Sequence, residues 1–169
     1  MMTAQSALFV AGVVVIGLSS AYAQAPQRTT AAYDDWTVSC ATAESASGKS
    51  CEIFSIQIIE NQPASQITIK RGAKSEPYRV FIQVPTNVWL QSGVKLIPTD
   101  KQASIVATFR WCVAARCLAD ADLTEGMVSK MRTWSEPGRL EYKDAAQEDV
   151  SRPISFKGFA PAFDALQKQ

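Results

Sequence analysis

The segment YRVFIQVP, residues 78–85, alternates side chains with a period of two. Tyr78, Val80, Ile82 and Val84 fall on one face, and Pro85 closes the segment. Successive side chains of a β-strand point to opposite faces of the sheet, so this period is typical of a strand with one buried face. Proline has no backbone N–H to donate and ends a strand readily. The segment therefore predicts a strand that turns one face to a core.

The same alternation recurs on both sides of this segment, separated by short stretches of turn residues. Short strands at such spacing are typical of an antiparallel β domain. We therefore predict a mainly β fold, an antiparallel β-sandwich or a barrel-like domain. Further strands are expected on either side of Ser92-Gly93, near Leu140 and Tyr142, and at residues 150–156, where Pro153 favours a sheet edge. The predicted apolar faces are Trp36, Val38 and Cys40; Phe54, Ile56 and Ile58; Ile67 and Ile69; and Ile105, Ala107, Phe109 and Trp111.

Two helices interrupt the strand pattern. In residues 119–134, Leu123, Met127 and Met131 recur every four positions, which predicts an internal helix of about ten residues, with Asp122 in the capping position. Near the C-terminus, residues 159–166 carry large apolar side chains at the i, i+4 and i+7 positions, which is one face of a helix. The sequence therefore predicts one internal helix and one C-terminal helix.

The N-terminus has the features of a secretory signal. The first 23 residues contain no Asp, Glu, Lys or Arg, and an apolar run covers Ala7 to Leu18. Ala21-x-Ala23 then offers the small side chains that signal peptidase reads. An uncleaved membrane anchor is the rival interpretation, but the run is short of the roughly 20 residues that span a bilayer. We predict a signal peptide over 1–23 with cleavage before Gln24, and export to the periplasm, the cell surface or the medium.

The predicted mature chain is long enough for one domain with a core of its own. We expect a flexible lead-in over 24–32 and a single disulfide-bonded β-rich domain over 33–169, with no membrane-spanning segment after cleavage. The chain has 17 Lys and Arg against 16 Asp and Glu, a net charge of +1, and the signs are interspersed. This balance gives no electrostatic basis for binding nucleic acid or a membrane surface.

The four cysteines favour disulfides over a metal or redox site. An even number of cysteines in an exported chain is typical of disulfide bonding, and four cysteines allow three pairings. The spacing favours Cys40 with Cys51 and Cys112 with Cys117, because each pair is close in the chain and lies at the edge of a predicted strand. A C-x-x-C redox motif is absent, and the spacing of the first pair fits a zinc ribbon poorly. We predict no metal site.

The sequence contains no histidine. This excludes Ser-His-Asp and Cys-His nucleophilic catalysis, and it removes the commonest ligand of catalytic zinc. Any enzyme would have to use carboxylates, lysine or tyrosine. We therefore predict a protein that is not an enzyme, with no catalytic residues and no cofactor.

Four tryptophans are candidates for an aromatic binding surface or for the core. Trp36 and Trp111 stand in alternating segments beside cysteines, and we expect both to pack in the core against the disulfides. Trp89 lies between turn signals and is the candidate contact residue. Trp134 follows the predicted internal helix and is expected to attach it to the sheet.

Charged clusters form the remaining candidate sites. Lys70, Arg71 and Lys74 make a small basic cluster in a predicted turn, which could meet an anionic lipid or glycan, although a solvated hairpin turn is the simpler interpretation. Asp34-Asp35 and the pair Asp120 and Asp122 could serve acid–base catalysis only across a fixed cleft. We expect them instead to be solvated at a strand start and to cap a helix.

Several short motifs follow one another along the chain in a recognisable order. They are Asp35-Trp36-Thr37-Val38-Ser39-Cys40, Cys51, Val84-Pro85, Leu90-Gln91-Ser92-Gly93-Val94, Trp111-Cys112 with Cys117, and Ile154-Ser155-Phe156-Lys157-Gly158-Phe159. This order resembles the invasion associated locus B family of exported bacterial proteins, over nearly all of residues 33–167. The resemblance implies a periplasmic or surface-exposed β domain with two disulfides, in a family named for host-cell invasion by some pathogens and without established catalytic residues.

Three functional hypotheses follow from these observations. The leading one is an exported, non-enzymatic protein that binds a macromolecular partner in the envelope or on host cells, in keeping with a virulence role in Gram-negative bacteria. The alternative is a module that binds a small apolar or glycan ligand in a cleft lined by aromatic side chains such as Trp89. The third is a carboxylate-dependent hydrolase, which requires two acidic side chains facing each other across a groove.

Overall fold

The computed structural model describes residues 27–42, 49–98 and 104–169. The predicted signal peptide over 1–23 and its cleavage site lie outside the described residues. The described strands are β1 (Arg28–Tyr33), β2 (Trp36–Thr42), β3 (Lys49–Ile59), β4 (Gln62–Lys70), β5 (Tyr78–Pro85), β6 (Val94–Ile97), β7 (Ile105–Val113), β8 (Arg116–Leu123), β9 (Gly138–Lys143) and β10 (Asp149–Ile154). Two α-helices accompany them, α1 (Glu125–Met131) and α2 (Phe159–Gln167).

All the strands belong to one antiparallel sheet. Its order is β1-β2-β3-β4-β5-β8-β7-β6-β9-β10, and the sheet curls into a half-barrel. The predicted mainly β fold with one internal and one C-terminal helix is confirmed, in its barrel-like form. Segment 78–85, now β5, lies in the middle of the sheet between β4 and β8. Its Val80, Ile82 and Val84 are buried, as the alternation predicts.

The core lies on the concave side of the half-barrel, where α2 packs. Phe159, Phe163 and Leu166 form the buried face of α2, which contacts β1, β2 and β3. Phe159 meets the fully buried Trp36 edge to face at 5.0 Å, and the indole Nε1 of Trp36 donates to the Ser155 carbonyl at 3.1 Å. The expected burial of Trp36 and the predicted apolar face of α2 are therefore observed in the structure.

The internal helix is shorter than the sequence pattern predicts and begins later. Residues 119–123 belong to β8, and α1 starts at Glu125, with the Thr124 side chain accepting from the Met127 N–H. The prediction of Asp122 as a helix cap is therefore wrong. The physical reason is that β8 pairs with strands on both sides, so its alternation extends through Leu123. Trp134, just beyond α1, packs on Phe156 with ring centroids 4.8 Å apart.

The segment around Ser92-Gly93 forms one strand instead of two. A single 3₁₀ turn covers Leu90–Ser92, and β6 begins at Val94. Gly93 between them has φ 61°, and a Cβ there would lie 2.6 Å from the Ala107 carbonyl oxygen of β7. The close approach of β7 and the left-handed backbone explain both the glycine and the break in the strand.

Strand β1 begins at Arg28, inside the segment that the sequence predicts as a flexible lead-in. Five of its six side chains are exposed, so it has no hydrophobic alternation that could reveal a strand. Its order comes from backbone pairing with β2, from Arg28 opposite Ala41 to Tyr33 opposite Trp36. Because its small and polar side chains are exposed on both faces, such an edge strand is interpreted as a loop from the sequence.

The two cysteine pairs favoured by their spacing lie at bonding distance. They are at opposite ends of the sheet as measured along the strand direction. Cys40 and Cys51 are direct partners on β2 and β3, with Cα atoms 4.1 Å apart. Cys112 and Cys117 are partners on β7 and β8, with Cα atoms 4.0 Å apart. Each end of the sheet therefore has its own cross-strand link.

Candidate functional site

Trp111 is exposed, which corrects the prediction that it packs in the core. The alternation of β7 is regular through Phe109, which pairs with Ala119, but Trp111 pairs with Leu118, so one extra residue, Arg110, is accommodated in a β-bulge. The bulge changes which side chains face the core. Phe109 is buried, whereas the Trp111 side chain is 56% exposed on the outer face of the sheet.

Trp111 belongs to an apolar band across the outer face. In one row, Trp111 pairs with Leu118, Leu118 with Gln83, Gln83 with Gln66, and Gln66 with Ile56. The adjacent row contains Val113 opposite Arg116, Arg116 opposite Pro85, and Ile58 on β3. We define the apolar band as Ile56, Ile58, Pro85, Trp111, Val113 and Leu118.

The band is unusually exposed for its composition. Ile56, Ile58, Trp111 and Val113 are between 43% and 63% exposed. Within the described residues, only Leu90 and Val106 are further large hydrophobic side chains of this exposure. Trp111, Val113 and Leu118 are neighbours on the β7–β8 hairpin, and Gln83 and Gln66 separate them from Ile56 on β3. A cluster of exposed apolar side chains is typical of an interaction site, whereas scattered single residues are not. The band is therefore the strongest candidate for a contact surface.

The other half of the outer face is charged. Asp120 is 6% exposed and receives two guanidinium groups, Arg79 from β5 at 3.2 Å and Arg110 from the bulge. Arg79 also binds Asp122 at 2.7 Å. Lys70 completes this half, with its Nζ 5.1 Å from the centre of the Phe81 ring. We call Lys70, Arg79, Arg110, Asp120 and Asp122 the charged patch.

Both carboxylates of the charged patch are paired, and its three cations against two carboxylates leave it with a formal charge of +1. The hydrogen bond from Arg79 lowers the pKa of the Asp122 carboxyl below its usual 3.8 and raises the pKa of the guanidinium. Each carboxylate of the patch already has an arginine partner. The patch therefore has no unpaired carboxylate that could act as a base or receive a cation.

The predicted contact residue Trp89 lies in a shallow groove, away from the apolar band. It is half-buried, and its backbone N–H donates a hydrogen bond to the Lys143 carbonyl at 2.8 Å. The groove has a volume of about 400 Å³, and its charged side chains include the ion pair of Lys143 and Asp149 at 2.8 Å. The aromatic ring therefore lines a mainly polar groove.

The predicted basic cluster is divided between two surfaces. Lys70 lies in the charged patch, whereas Arg71 and Lys74 line a cleft of about 810 Å³ between the β4–β5 turn, α1 and α2. The Arg71 guanidinium lies over the Tyr78 ring, 4.8 Å from its centre. Strand β4 ends at Lys70, so Arg71 already belongs to the turn, and it lines both the cleft and the neighbouring surface that Lys70 lines.

The predicted acidic pairs do not face each other. Asp34 pairs with Lys157 at 3.1 Å and Asp35 accepts from Ser155 Oγ at 2.6 Å, both at the β1–β2 turn. Asp120 and Asp122 lie on β8, in the charged patch. Over residues 27–42, 49–98 and 104–169, no three His, Cys, Asp or Glu side chains gather closely enough to hold a metal ion.

A family model described as Invasion associated locus B (IalB) protein matches residues 36–167. The chain belongs to the IalB family. Among solved structures, it is similar to the crystal structure of invasion associated protein b from Bartonella henselae, with a TM-score of 0.71 and 20% sequence identity over 82% of this chain and 94% of that chain. No curated protein matches the chain. The likeness to the Bartonella protein establishes the fold.

Alternation alone places the exposed Trp111 of this IalB-family chain on the wrong face. It also does so for Ile56 and Ile58, because the buried face of β3 carries Ile53 and Ser55 instead. A signal for Trp111 exists in the sequence. Cys112 must face Cys117 across the β7–β8 hairpin, and its neighbour Trp111 must then point to the other side of the strand. Alternation counted back from Cys112 places Trp111 on the outer face, whereas alternation counted forward from Ile105 places it in the core.

Within the described part of this IalB-family chain, none of the helices has both the length and the apolar character needed to cross a membrane.

Proposed function

We propose that this protein is an exported, non-enzymatic binding protein, and that its protein partner docks on the apolar band. The observation that carries the proposal is the exposure of Trp111 and Val113 beside each other on a disulfide-linked hairpin. Burying these side chains against a partner removes apolar surface from water, which is the main favourable term in association. The IalB family is not a known enzyme family, which supports the non-enzymatic part.

The composition of the band favours a protein as the partner. Its two rows contain one charged residue, Arg116, whose guanidinium donates to the Gln83 side chain at 3.4 Å. Tryptophan and arginine are enriched where protein interfaces have their strongest contacts, and lysine and acidic residues are depleted there. An anionic membrane would require a basic cluster around the apolar side chains. The isolated Arg116 does not provide one.

Export is supported by three features of the chain. The uncharged N-terminal segment with its apolar run and Ala21-x-Ala23 is typical of a secretory signal. The two cysteine pairs at bonding distance favour an oxidising compartment. Membership of the IalB family favours the same destination. We place the mature protein in the periplasm or on the cell surface, in contact with an envelope or host-surface protein.

Site-specific photocrosslinking tests the docking surface. A photoreactive residue is placed at Val113 in one variant and at Val106 in another, in the native bacterium and in the presence of host-membrane extract. Val106 is the matched control, because it is a valine of the same strand with 56% exposure but lies outside the apolar band. We expect one reproducible protein adduct from position 113 and none from 106. N-terminal sequencing of the present protein, isolated from the bacterium, should give a sequence that begins at Gln24.

Substitution adds an independent measurement. Val113→Asp should reduce recovery of the partner at least about tenfold, because a carboxylate would be desolvated in the interface, while Val106→Asp should leave recovery unchanged. Equal recovery with both variants, or no protein adduct from position 113, would contradict the proposal. An adduct that consists of lipid would replace the protein partner by a membrane surface.

A further inference from the structure

The cleft beside Arg71 lies at the opposite end of the sheet from the apolar band. It is enclosed by the β4–β5 turn, the end of β8, α1 and α2, and its volume of about 810 Å³ is within the range of sites for small molecules. Its apolar lining consists of Pro77 and Tyr78 at the surface, with Leu123, Val128 and Phe163 buried behind them.

Two aromatic rings and a stacked guanidinium shape the lining. Tyr78 meets Phe163 edge to face, with ring centroids 4.7 Å apart. Arg71 lies over the other side of this pair, stacked on Tyr78. Stacking holds a guanidinium by its face and leaves its edge N–H groups available. One of them makes a long bond of 3.4 Å to the Lys74 carbonyl.

The cations of the cleft differ in whether they are already neutralised. Arg132, on the α1 side, pairs with Asp164 of α2. Within the described residues, no carboxylate forms an ion pair with Arg71 or Lys74. The cleft therefore presents two unneutralised cations on one wall, next to the Tyr78 ring.

Two acidic residues, Glu76 and Glu125, also line the cleft. Glu125 stands in the first turn of α1, across the cleft from the β4–β5 turn. The Glu76 carboxylate lies within the β4–β5 turn against Gly72, next to Arg71, and it also lines the neighbouring surface with Arg79. It forms no ion pair with Arg71 or Lys74, but its charge disfavours more than one anionic group on a ligand bound beside them.

A buried polar atom next to the lining lacks a partner. The Tyr78 hydroxyl is buried and forms no hydrogen bond within the protein. Burial raises the pKa of this phenol, which keeps it protonated and able to donate. A buried donor without an acceptor is costly, and because the hydroxyl is closed off from the cleft, a ligand there meets the Tyr78 ring and not its hydroxyl.

We propose that this cleft binds a small monocarboxylate with an apolar body, the carboxylate on Arg71 and Lys74 and the body on Pro77 and Tyr78. A carboxylate matches the edge of a guanidinium and can accept two parallel hydrogen bonds from it. The flat apolar body replaces water over the Tyr78 ring. This site is independent of the apolar band, so either proposal can fail alone.

Calorimetric titration of the mature, oxidised protein tests the inference. The probes are octanoate and 3-phenylpropionate, with octanamide and octyl phosphate as comparisons. We expect both carboxylates to bind and octanamide to bind at least about tenfold more weakly, because it lacks the charge that pairs with Arg71. Octyl phosphate separates a carboxylate site from a general site for anionic amphiphiles, and tighter binding of the phosphate would overturn the assignment to a carboxylate.

Variants locate the binding. R71Q and K74Q should each weaken octanoate binding about tenfold. K70Q is the matched control, since Lys70 is the neighbour of Arg71 but lies over Phe81 on the outer face, and its affinity should equal that of the wild type. K74Q leaves the stacked pair of Arg71 and Tyr78 intact, so it remains informative if R71Q unfolds. Unchanged affinity in K74Q and R71Q, or no binding of either carboxylate at millimolar concentration, would overturn the proposal.

Discussion

The two halves of the outer face show opposite ways of treating exposed side chains. In the charged patch, Asp120 and Asp122 are bound by Arg79 and Arg110, so each carboxylate has its partner within the fold. In the apolar band, Trp111 and its neighbours have no such partner and remain in water. Charged side chains that pair within the fold contribute to stability, whereas exposed apolar side chains without a partner are available for binding. The same sheet therefore separates a stabilising half from a half available to a partner.

The largest expected effects come from the two disulfides, one at each end. Replacing both Cys40 and Cys51 by Ser should lower the free energy of unfolding by about 3 kcal/mol, and replacing Cys112 and Cys117 by about 2 kcal/mol. The difference arises because the first pair closes a longer loop, with a sequence separation of 11 against 5. Urea unfolding of the two double variants measures both values. A larger loss at the hairpin with Trp111 would contradict the loop-length argument.

The next comparison tests the two halves directly. Asp120→Ala should lower the free energy of unfolding by about 2 kcal/mol, because it removes a nearly buried carboxylate that accepts a charged hydrogen bond from Arg110 and forms an ion pair with Arg79. Trp111→Ala, its counterpart in the apolar band, should change stability by less than about 0.5 kcal/mol, because the ring is exposed in the free protein. Thermal or urea unfolding of both variants measures these changes in the free energy of unfolding. Similar losses in both variants would mean that the band is part of the stabilising structure.

The smallest expected effect is a pH dependence confined to the charged half. Arg79 lowers the pKa of Asp122 below 3.8 in the folded protein, so this carboxylate stabilises the fold above pH 3.8 and ceases to do so as the pH falls through the lowered pKa. Asp122→Asn should therefore be less stable than wild type at neutral pH, and the difference should vanish in strong acid. Unfolding of both proteins across this range measures it. Trp111→Ala should show no such pH-dependent difference. If Asp122→Asn remained less stable than wild type in strong acid, the loss would come from packing and not from the charge of Asp122.

The sequence predicts the fold well where one face of a strand is buried. Segment 78–85 and the apolar face of α2 are placed correctly, because burial imposes a period of two on strands and a turn-to-turn repeat on helices. It fails where backbone pairing alone orders the chain, as in the exposed edge strand β1. It also misplaces the start of α1, because the alternating residues 119–123 contain Leu123, which also fits the helical repeat.

The candidate site was harder to predict than the fold, for a local reason. A strand pattern gives the faces of its side chains only while the pairing stays in register, and the bulge in β7 changes the register next to Trp111. The sequence also cannot tell which charges neutralise each other, since Arg79 and Asp122 are far apart in the chain and meet only through the pairing of β5 and β8. Arg71 and Lys74 were identified from the sequence, but their cleft is built by α1 and α2.

The bulge in β7 has a consequence for how the gene can change. Arg110 is the residue added between Phe109, opposite Ala119, and Trp111, opposite Leu118. Loss of that single codon would restore a regular strand, keep Phe109 inward and Trp111 outward, and leave Cys112 opposite Cys117. Only the second arginine on Asp120 would disappear. A one-residue deletion at this point can therefore change the charge of the outer face across descendants of this gene while the hairpin and its exposed tryptophan stay in place.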